Sequence, residues 1–269
     1  MVQTRAATKG SPIQTSIIVP TYKEQSNLKP LTERLFAALE KEHLDKSTEL
    51  IIVDDNSNDG SKETIDALSP KYNVKIIVRT KERGLSSAVL AGFNDARATD
   101  ILICMDADLQ HPPEKVPALI QALREEEFAI GTRYAGGHSI DKDWPLYRRI
   151  ISSGARLLAR PLTPLSDPMT GFFGIQKGAF LRARNINPIG FKICLETYVK
   201  SGVRNHAEVP IVFGVRTAGE SKLTSKVILN YLGHLYDLYM YQMPWFLAFL
   251  VLLALLGAYS TYLLALKLV

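Results

Sequence analysis

A chain of 269 residues that is 46% hydrophobic and 22% charged has the balance of an ordinary globular protein, with ample apolar material for a core. Its formal charge of +5 suits anionic partners such as nucleotides or lipid phosphates, and nothing in its distribution calls for nucleic acid. Two cysteines, Cys104 and Cys194, exclude a disulfide scaffold or a cysteine zinc site and agree with a reducing compartment; Cys104, in an apolar run, reads as a small core filler.

Residues 1–14 are polar and basic, lack the apolar stretch of a signal peptide, and are expected to be disordered. Ser16 to Pro20 is a short apolar run ending in proline, a buried strand. After a loop from Thr21 to Asn27, a helix places Leu28, Leu31, Leu35 and Leu39 on one face. Leu50 to Val53 is the second strand. It ends in the acidic turn Asp54-Asp55-Asn56-Ser57-Asn58-Asp59-Gly60, where Asp59 and Ser61 suffice to start the helix that runs to about Leu68. Val74 to Val78 is the third strand, Gly84 to Ala96 a helix, and Ile101 to Met105 the fourth strand, with Asp106 following at once. A helix over about 113–125 leads to the fifth strand, Phe128 to Gly131. This alternation predicts an α/β fold with a mostly parallel, Rossmann-type sheet covered by helices. Such sheets bind ligands beyond the carboxyl ends of their strands, so Tyr22 and Glu24, Asp54 and Asp55, and Asp106 and Asp108 are expected on one rim. Residues 15–221 read as this catalytic domain.

Beyond Arg133 the pattern changes. Trp144 to Arg160 is amphipathic: Leu146, Tyr147, Ile150, Ile151, Leu157 and Leu158 fall in an arc of about 140°, opposite Arg148, Arg149, Ser152, Ser153, Arg156 and Arg160. An apolar face opposite arginines suits a helix lying in a membrane interface. Lys222 to Met243 is a second such candidate, rich in tyrosine, a residue that favours interfaces. Pro244 to Leu266 contains no charged residue. As a helix it reaches about 34 Å, against about 30 Å of bilayer core. It is expected to be a single membrane anchor, leaving the rest of the chain in the cytosol.

Asp106-Ala107-Asp108 after a buried strand is a compact carboxylate pair able to hold a hard divalent cation, Mg²⁺ or Mn²⁺, against a diphosphate, with Gln110 two residues on as a further oxygen ligand. Asp55 at a second strand exit can accept hydrogen bonds from a base or ribose. Arg133, Arg148, Arg216 and Lys222 are the cations suited to phosphate, and the glycine-containing stretch 216–222 resembles a closing loop. No nucleophilic triad, histidine metal spacing, GxxxxGK[ST] loop or GxGxxG fingerprint occurs.

Taken together, Ile18-Val-Pro-Thr-Tyr-Lys-Glu24, Val53-Asp-Asp-Asn-Ser-Asn-Asp-Gly60 and Met105-Asp-Ala-Asp108 resemble glycosyltransferase family 2, with its GT-A fold. The longer stretches 78–88, 106–113, 131–134, 167–173 and 213–223 resemble the branch of that family that mannosylates dolichyl phosphate. The resemblance runs from about Ser16 to Tyr241. It implies mannose transfer from GDP-α-mannose, with inversion, to give a lipid-linked donor for N-glycosylation, O-mannosylation and GPI anchors, on the cytosolic face of the endoplasmic reticulum. It assigns Pro20, Tyr22, Glu24, Val53 and Asp55 to the guanosine, and Asp106, Ala107 and Asp108 to the diphosphate and metal, with Asp108 and Gln110 as metal ligands. Arg133, Arg216 and Lys222 would meet phosphates, and Arg133, Arg148 and Ser152 the lipid phosphate. A C-terminal span further implies that no separate anchoring subunit is obligatory. The rival readings are a UDP-glucose-dependent polyprenyl-phosphate transferase, a non-catalytic lipid-phosphate binder and an aspartyl phosphatase. The run Arg148-Arg-Ile-Ile-Ser152 also has the look of a kinase site, where a phosphate would repel a phosphate acceptor.

Overall fold

The structure is a computed structural model that describes residues 12–134, 146–187, 192–212 and 225–267, without the side chains at 146–150, 225–228, 246–247, 262 and 264–267. It divides into two units, 1–222 and 223–269. The first is built on a seven-stranded sheet: β1 (Thr15–Thr21), β2 (Thr48–Asp54), β3 (Val74–Val78), β4 (Ile101–Cys104), β5 (Phe128–Thr132), β6 (Phe173–Gln176) and β7 (His206–Pro210), in the order β3-β2-β1-β4-β6-β5-β7. Strands β1, β2, β3 and β4 are mutually parallel. β6 runs antiparallel to both β4 and β5, and β7 lies parallel to β5. The sequence reading anticipated five strands and missed β6 and β7.

Side-chain alternation along the strands sorts the core into two layers. Ile17 and Val19 of β1, Leu50 and Ile52 of β2, and Ile101 and Ile103 of β4 pack with α1 (Gln25–Lys41), α2 (Ser61–Leu68) and α4 (Val116–Glu125). On the opposite face lie α3 (Leu85–Asp95) and α7 (Ile193–Lys200). Gly92 lets α3 approach closely, since a Cβ there would lie 2.5 Å from Ile18 Cγ2. An aromatic chain fills the rest of this layer: Phe93 meets Phe173 edge-on at 6.2 Å, Phe173 stacks on Phe128 at 5.6 Å, and Phe128 meets Tyr198 edge-on at 5.2 Å. Cys104 is fully buried, and its burial pushes the thiol pKa well up, as befits an inert core residue. At the amino-terminal end of the sheet, buried Glu49 accepts hydrogen bonds from Ser16 Oγ (2.6 Å), Arg97 N (2.7 Å) and Arg97 Nε (2.6 Å), which ties β1, β2 and the end of α3 together.

α5 (Leu146–Ala159) follows β5, and the short α6 (Lys177–Phe180) follows β6. On α5, Leu157 and Leu158 are exposed, at 71% and 47%. The second unit comprises α8 (Ser225–Gln242) and α9 (Pro244–Lys267). α9 is continuous over 24 residues, and its described leucines and aromatics are exposed. Among the described residues no helix is long and apolar enough to cross a membrane, so the expected span does not follow from them.

Candidate active site

The sheet order puts β2 and β3 on one side of β1 and β4 on the other, a switch point of the kind that opens a crevice at the carboxyl ends of α/β strands. The register pairs Thr21 with Asp54 and Ile18 with Cys104. The segments after β1, β2 and β4 therefore leave the sheet on one rim.

Beyond β2, the two adjacent aspartates have different tasks. Asp54 does not face the crevice as expected. Its carboxylate is buried, accepting Ser57 N at 2.8 Å and Thr21 Oγ1 at 3.3 Å together with a short bond from Ser57 Oγ. Ser57 Oγ in turn accepts Lys23 N at 2.8 Å, so Asp54 is the knot that joins the β1 and β2 loops. Asp55, also buried, accepts Arg79 Nε at 2.7 Å and Gly84 N at 2.8 Å. Arg79 further donates to Ser87 Oγ and to the Gly84 carbonyl. Asp55 thus fixes the 79–84 loop at the rim, a role that the sequence did not disclose. Asp59 accepts Ser61 N and Ser61 Oγ, as expected, and also Gln25 N, so it starts α1 as well as α2. On the β1 side, Tyr22 is 37% exposed and has Lys23 Nζ and Arg83 Cζ within 5.5 and 5.1 Å of its ring centre. Glu24 accepts Asn27 Nδ2 at 2.7 Å. Pro20 and Val53 pair across β1 and β2 one residue before the strand ends.

The segment after β4 folds back on itself. Asp106 N donates to His111 Nδ1 at 3.2 Å, Gln110 N donates to Asp108 Oδ1 at 3.1 Å, and Leu109 between them has φ 60°. A non-glycine residue in the left-handed region persists only where its surroundings over-determine it. Asp108 and Ala107 are buried, whereas the Asp106 side chain is 34% exposed. Because His111 Nδ1 accepts from a peptide N–H, the ring proton is assigned to Nε2, and the 3.5 Å approach of Asp106 Oδ2 to Nδ1 is not an ion pair.

A further segment, 166–172, completes the rim. Thr170 Oγ1 donates to the Gly131 carbonyl (3.0 Å), Gly131 N to the Phe172 carbonyl (2.8 Å), and Thr132 Oγ shares a 2.7 Å bond with Ser166 Oγ. Asp167 grips Arg133 through two bonds, Nε–Oδ2 at 2.7 Å and a terminal nitrogen to Oδ1 at 2.9 Å, with side chains 2% and 15% exposed. Arg133, anticipated as a phosphate ligand, is therefore already paired with Asp167. Its guanidinium also lies 5.6 Å from the ring of Tyr134, which Arg156 of α5 covers at 4.1 Å. That contact places α5 beside the exit of β5. Lys192, at the start of α7, is partly buried near Asp106, Asp167 and Arg133. Burial, with Arg133 alongside, pushes its pKa down, while the two carboxylates pull it up. Arg79, His111, Asp167, Gly171 and Lys192 had no assigned role in the sequence; the 78–88, 106–113 and 167–173 stretches marked the neighbourhoods of the first four, and nothing marked Lys192.

Of the remaining candidates, Ser152 is partly buried on α5, and Arg148 lies on the same helix with its side chain outside the described set. Arg216 and Lys222 fall outside the described residues. Asp106, Asp108 and Gln110 offer oxygen donors alone, a set that suits a hard cation completed by water and phosphate oxygens. Among the described residues, no cluster of three or more His, Cys, Asp or Glu side chains could hold a metal unaided.

The description Glycosyl transferase family 2 matches residues 16–183. The chain is 58% identical over 238 residues to the dolichol-phosphate mannosyltransferase of Saccharomyces cerevisiae, covering 86% of this chain and 88% of that one. It is 58% identical over 234 residues to the protein of the same name from Mycosarcoma maydis, covering 84% and 79%. Among solved structures, glucosyl-3-phosphoglycerate synthase from Mycobacterium tuberculosis, in complex with Mn²⁺ and UDP-glucose, superimposes with a TM-score of 0.60 at 17% identity, over 85% of this chain and 79% of that one; this likeness speaks to the fold. With the family description spanning well over half of its length, the chain belongs to glycosyl transferase family 2.

Proposed function

We propose that the chain transfers mannose from GDP-α-mannose to dolichyl phosphate with inversion, giving dolichyl β-mannosyl phosphate. The observation that carries this reading is the meeting, on one rim, of the Asp106–Asp108 carboxylates with Arg133, whose neighbour Tyr134 is covered by Arg156 of the amphipathic helix α5. The two fungal relatives, both dolichol-phosphate mannosyltransferases, support the choice of sugar and acceptor.

On this reading Pro20, Tyr22, Glu24, Val53 and Asp55 border the guanosine, and Arg133, Arg216 and Lys222 face phosphates. Arg148 and Ser152 take the acceptor phosphate. A phosphate monoester has its second pKa near about 6, so the acceptor arrives with a nucleophilic oxygen and needs no strong base. Direct attack on the anomeric carbon inverts it, and the residues' work is to align the two phosphates and stabilise the departing diphosphate. Asp108 and Gln110 would hold Mg²⁺ or Mn²⁺, which neutralises charge on that leaving group.

We read α9 as the membrane anchor. The reading rests on the sequence of the whole run, including residues 246–247, 262 and 264–266, whose side chains lie outside the described set: residues 244–266 carry no charge, and a helix of 24 residues reaches about 36 Å against a bilayer core of about 30 Å. The exposed Leu157 and Leu158 of α5 suit a helix lying in a membrane interface. The setting proposed is the cytosolic face of the endoplasmic reticulum, without an obligatory anchoring subunit. There the product would serve N-glycosylation, O-mannosylation and GPI-anchor synthesis.

The test is the purified chain with radiolabelled GDP-mannose and dolichyl phosphate, with and without Mg²⁺ or Mn²⁺, and UDP-glucose in parallel. Metal-dependent mannolipid formation is expected. Glucose transfer at a greater rate, or acceptor binding without transfer, would replace this reading by one of its rivals. Full-length protein is expected to stay in the membrane pellet after alkaline carbonate extraction, and release to the supernatant would remove the anchor.

A further inference from the structure

The two groups best placed for the reaction, Asp106 and Arg133, come from different strands, yet one segment touches the surroundings of both. Residues 166–172 are fastened to the end of β5 through Ser166, Asp167, Thr170 and Phe172. Gly131 makes room for the Phe172 ring, since a Cβ at 131 would come within 2.3 Å of Phe172 Cδ1. Gly171 makes room for Asp106, since a Cβ at 171 would lie 2.7 Å from Oδ2 and 2.8 Å from Oδ1.

The other side of Asp106 is held by His111. Its Nδ1 takes the Asp106 peptide N–H at 3.2 Å, and its buried ring stacks on Phe172 with centroids 5.4 Å apart and planes at 20°. Asp106 therefore sits between an acceptor nitrogen and a missing side chain, and both neighbours belong to one packed unit, His111–Phe172–Gly171. Arg133 is oriented by Asp167, five residues before Phe172.

We propose that His111 is a positioning residue for the transfer reaction: by latching the Asp106 peptide to the 166–172 segment, it sets the distance between the Asp106 carboxylate and the Arg133 guanidinium. The proposal rests on the glycosyl-transfer reading above. A carboxylate and a cation that act on one substrate need fixed separation, and displacements of about an ångström cost on the order of a hundredfold in rate. The stack alone would give a stable core contact. The bond from Nδ1 to a peptide N–H on the substrate side is what ties that contact to the reacting groups.

The two parts of the latch can be separated. His111→Phe keeps a ring against Phe172 and removes the acceptor. His111→Asn keeps an acceptor atom close to the place of Nδ1 and removes the ring. His111→Gln carries its polar atoms farther out, near the place of Nε2. Wild-type activity in the same assay tests the transfer reading separately, and the variants are compared only against an active wild type. For His111→Phe, kcat should fall about 10- to 100-fold, with the KM for GDP-mannose, GDP binding by calorimetry and melting temperature close to wild type. His111→Asn should restore most of the turnover, and His111→Gln should not. Wild-type kcat in folded His111→Phe overturns the proposal, as does a fall in turnover matched by lost stability and not relieved by asparagine. Should the phenylalanine variant not fold, the Asn and Gln pair decides, and equal turnover in those two overturns it.

Discussion

Gly171→Ala is the sharpest probe of the donor side. The new methyl would sit 2.7 and 2.8 Å from the Asp106 carboxylate oxygens and 3.0 Å from Cγ. Unstrained carbon–oxygen contacts begin near about 3.3 Å, so the carboxylate must retreat by about half an ångström. Residue 171 is outside the left-handed region, so alanine brings no backbone strain there, and the half-exposed Asp106 side chain can swing outward. The fold should therefore tolerate the change while the reacting geometry does not. Scaled from about a hundredfold per ångström, half an ångström is about tenfold in kcat, or about 1.4 kcal/mol of barrier. Initial rates over both substrates, with melting curves, measure this. Unchanged kcat in folded Gly171→Ala would refute the packing argument, and a defect confined to the acceptor KM would move Asp106 out of the donor site.

Asp108→Ala is expected to abolish transfer and leave the protein folded; near-normal activity in the purified variant would sink the metal assignment. Arg79→Ala leaves the buried Asp55 carboxylate without its ion-pair partner, which should cost about 3–5 kcal/mol in denaturant titrations and raise the donor KM as the 79–84 loop loosens. Wild-type stability would mean that Asp55 is held by Gly84 alone. Burial pushes the Glu49 carboxyl up, but the bonds from Ser16 and Arg97 outweigh it and hold the pKa below the usual value. Its stabilisation is therefore present above the unfolded pKa of about 4.3 and lost as pH falls through the lower folded value. Urea midpoints between pH 3 and 7 should fall less steeply on the acid side in Glu49→Gln, and parallel curves would deny the linkage.

The sequence discloses those strands whose apolar runs end abruptly. β1, β2 and β4 stop at Pro-Thr, Asp-Asp and Asp-Ala-Asp, where buried alternation gives way to polar loop. β6 escapes notice because it is four residues long, contains Gly174 and follows turn residues. β7 escapes because it is a half-buried edge strand with Glu208 and Pro210 in it, residue types that sheets tolerate at their margins. The different tasks of Asp54 and Asp55 were partly legible. Successive strand residues point to opposite faces, and Ile52 belongs to the α1 side, so Asp54 is directed to that side and into the β1 loop. Partners were not legible. Arg79 and Asp55 are 24 residues apart and Arg133 and Asp167 are 34 apart, and no periodicity links them.

The departure from parallel order is what completes the rim. In a parallel strand at the place of β6, the residues preceding it would enter the sheet at the amino-terminal edge, beside Glu49 and Arg97. Because β6 pairs antiparallel with β4 and β5, Phe173 lies opposite Cys104 and Ile130 near the ends of those strands. The chain just before it, Asp167 to Phe172, must then lie at the carboxyl edge beside Asp106 and Arg133. Gly131 and Gly171 remove the side chains that would keep it away. One reversed strand thus brings to the carboxylates of β4 a buried aspartate that orients the arginine of β5, and the two halves of the proposed reaction, donor diphosphate and acceptor phosphate, share a single support.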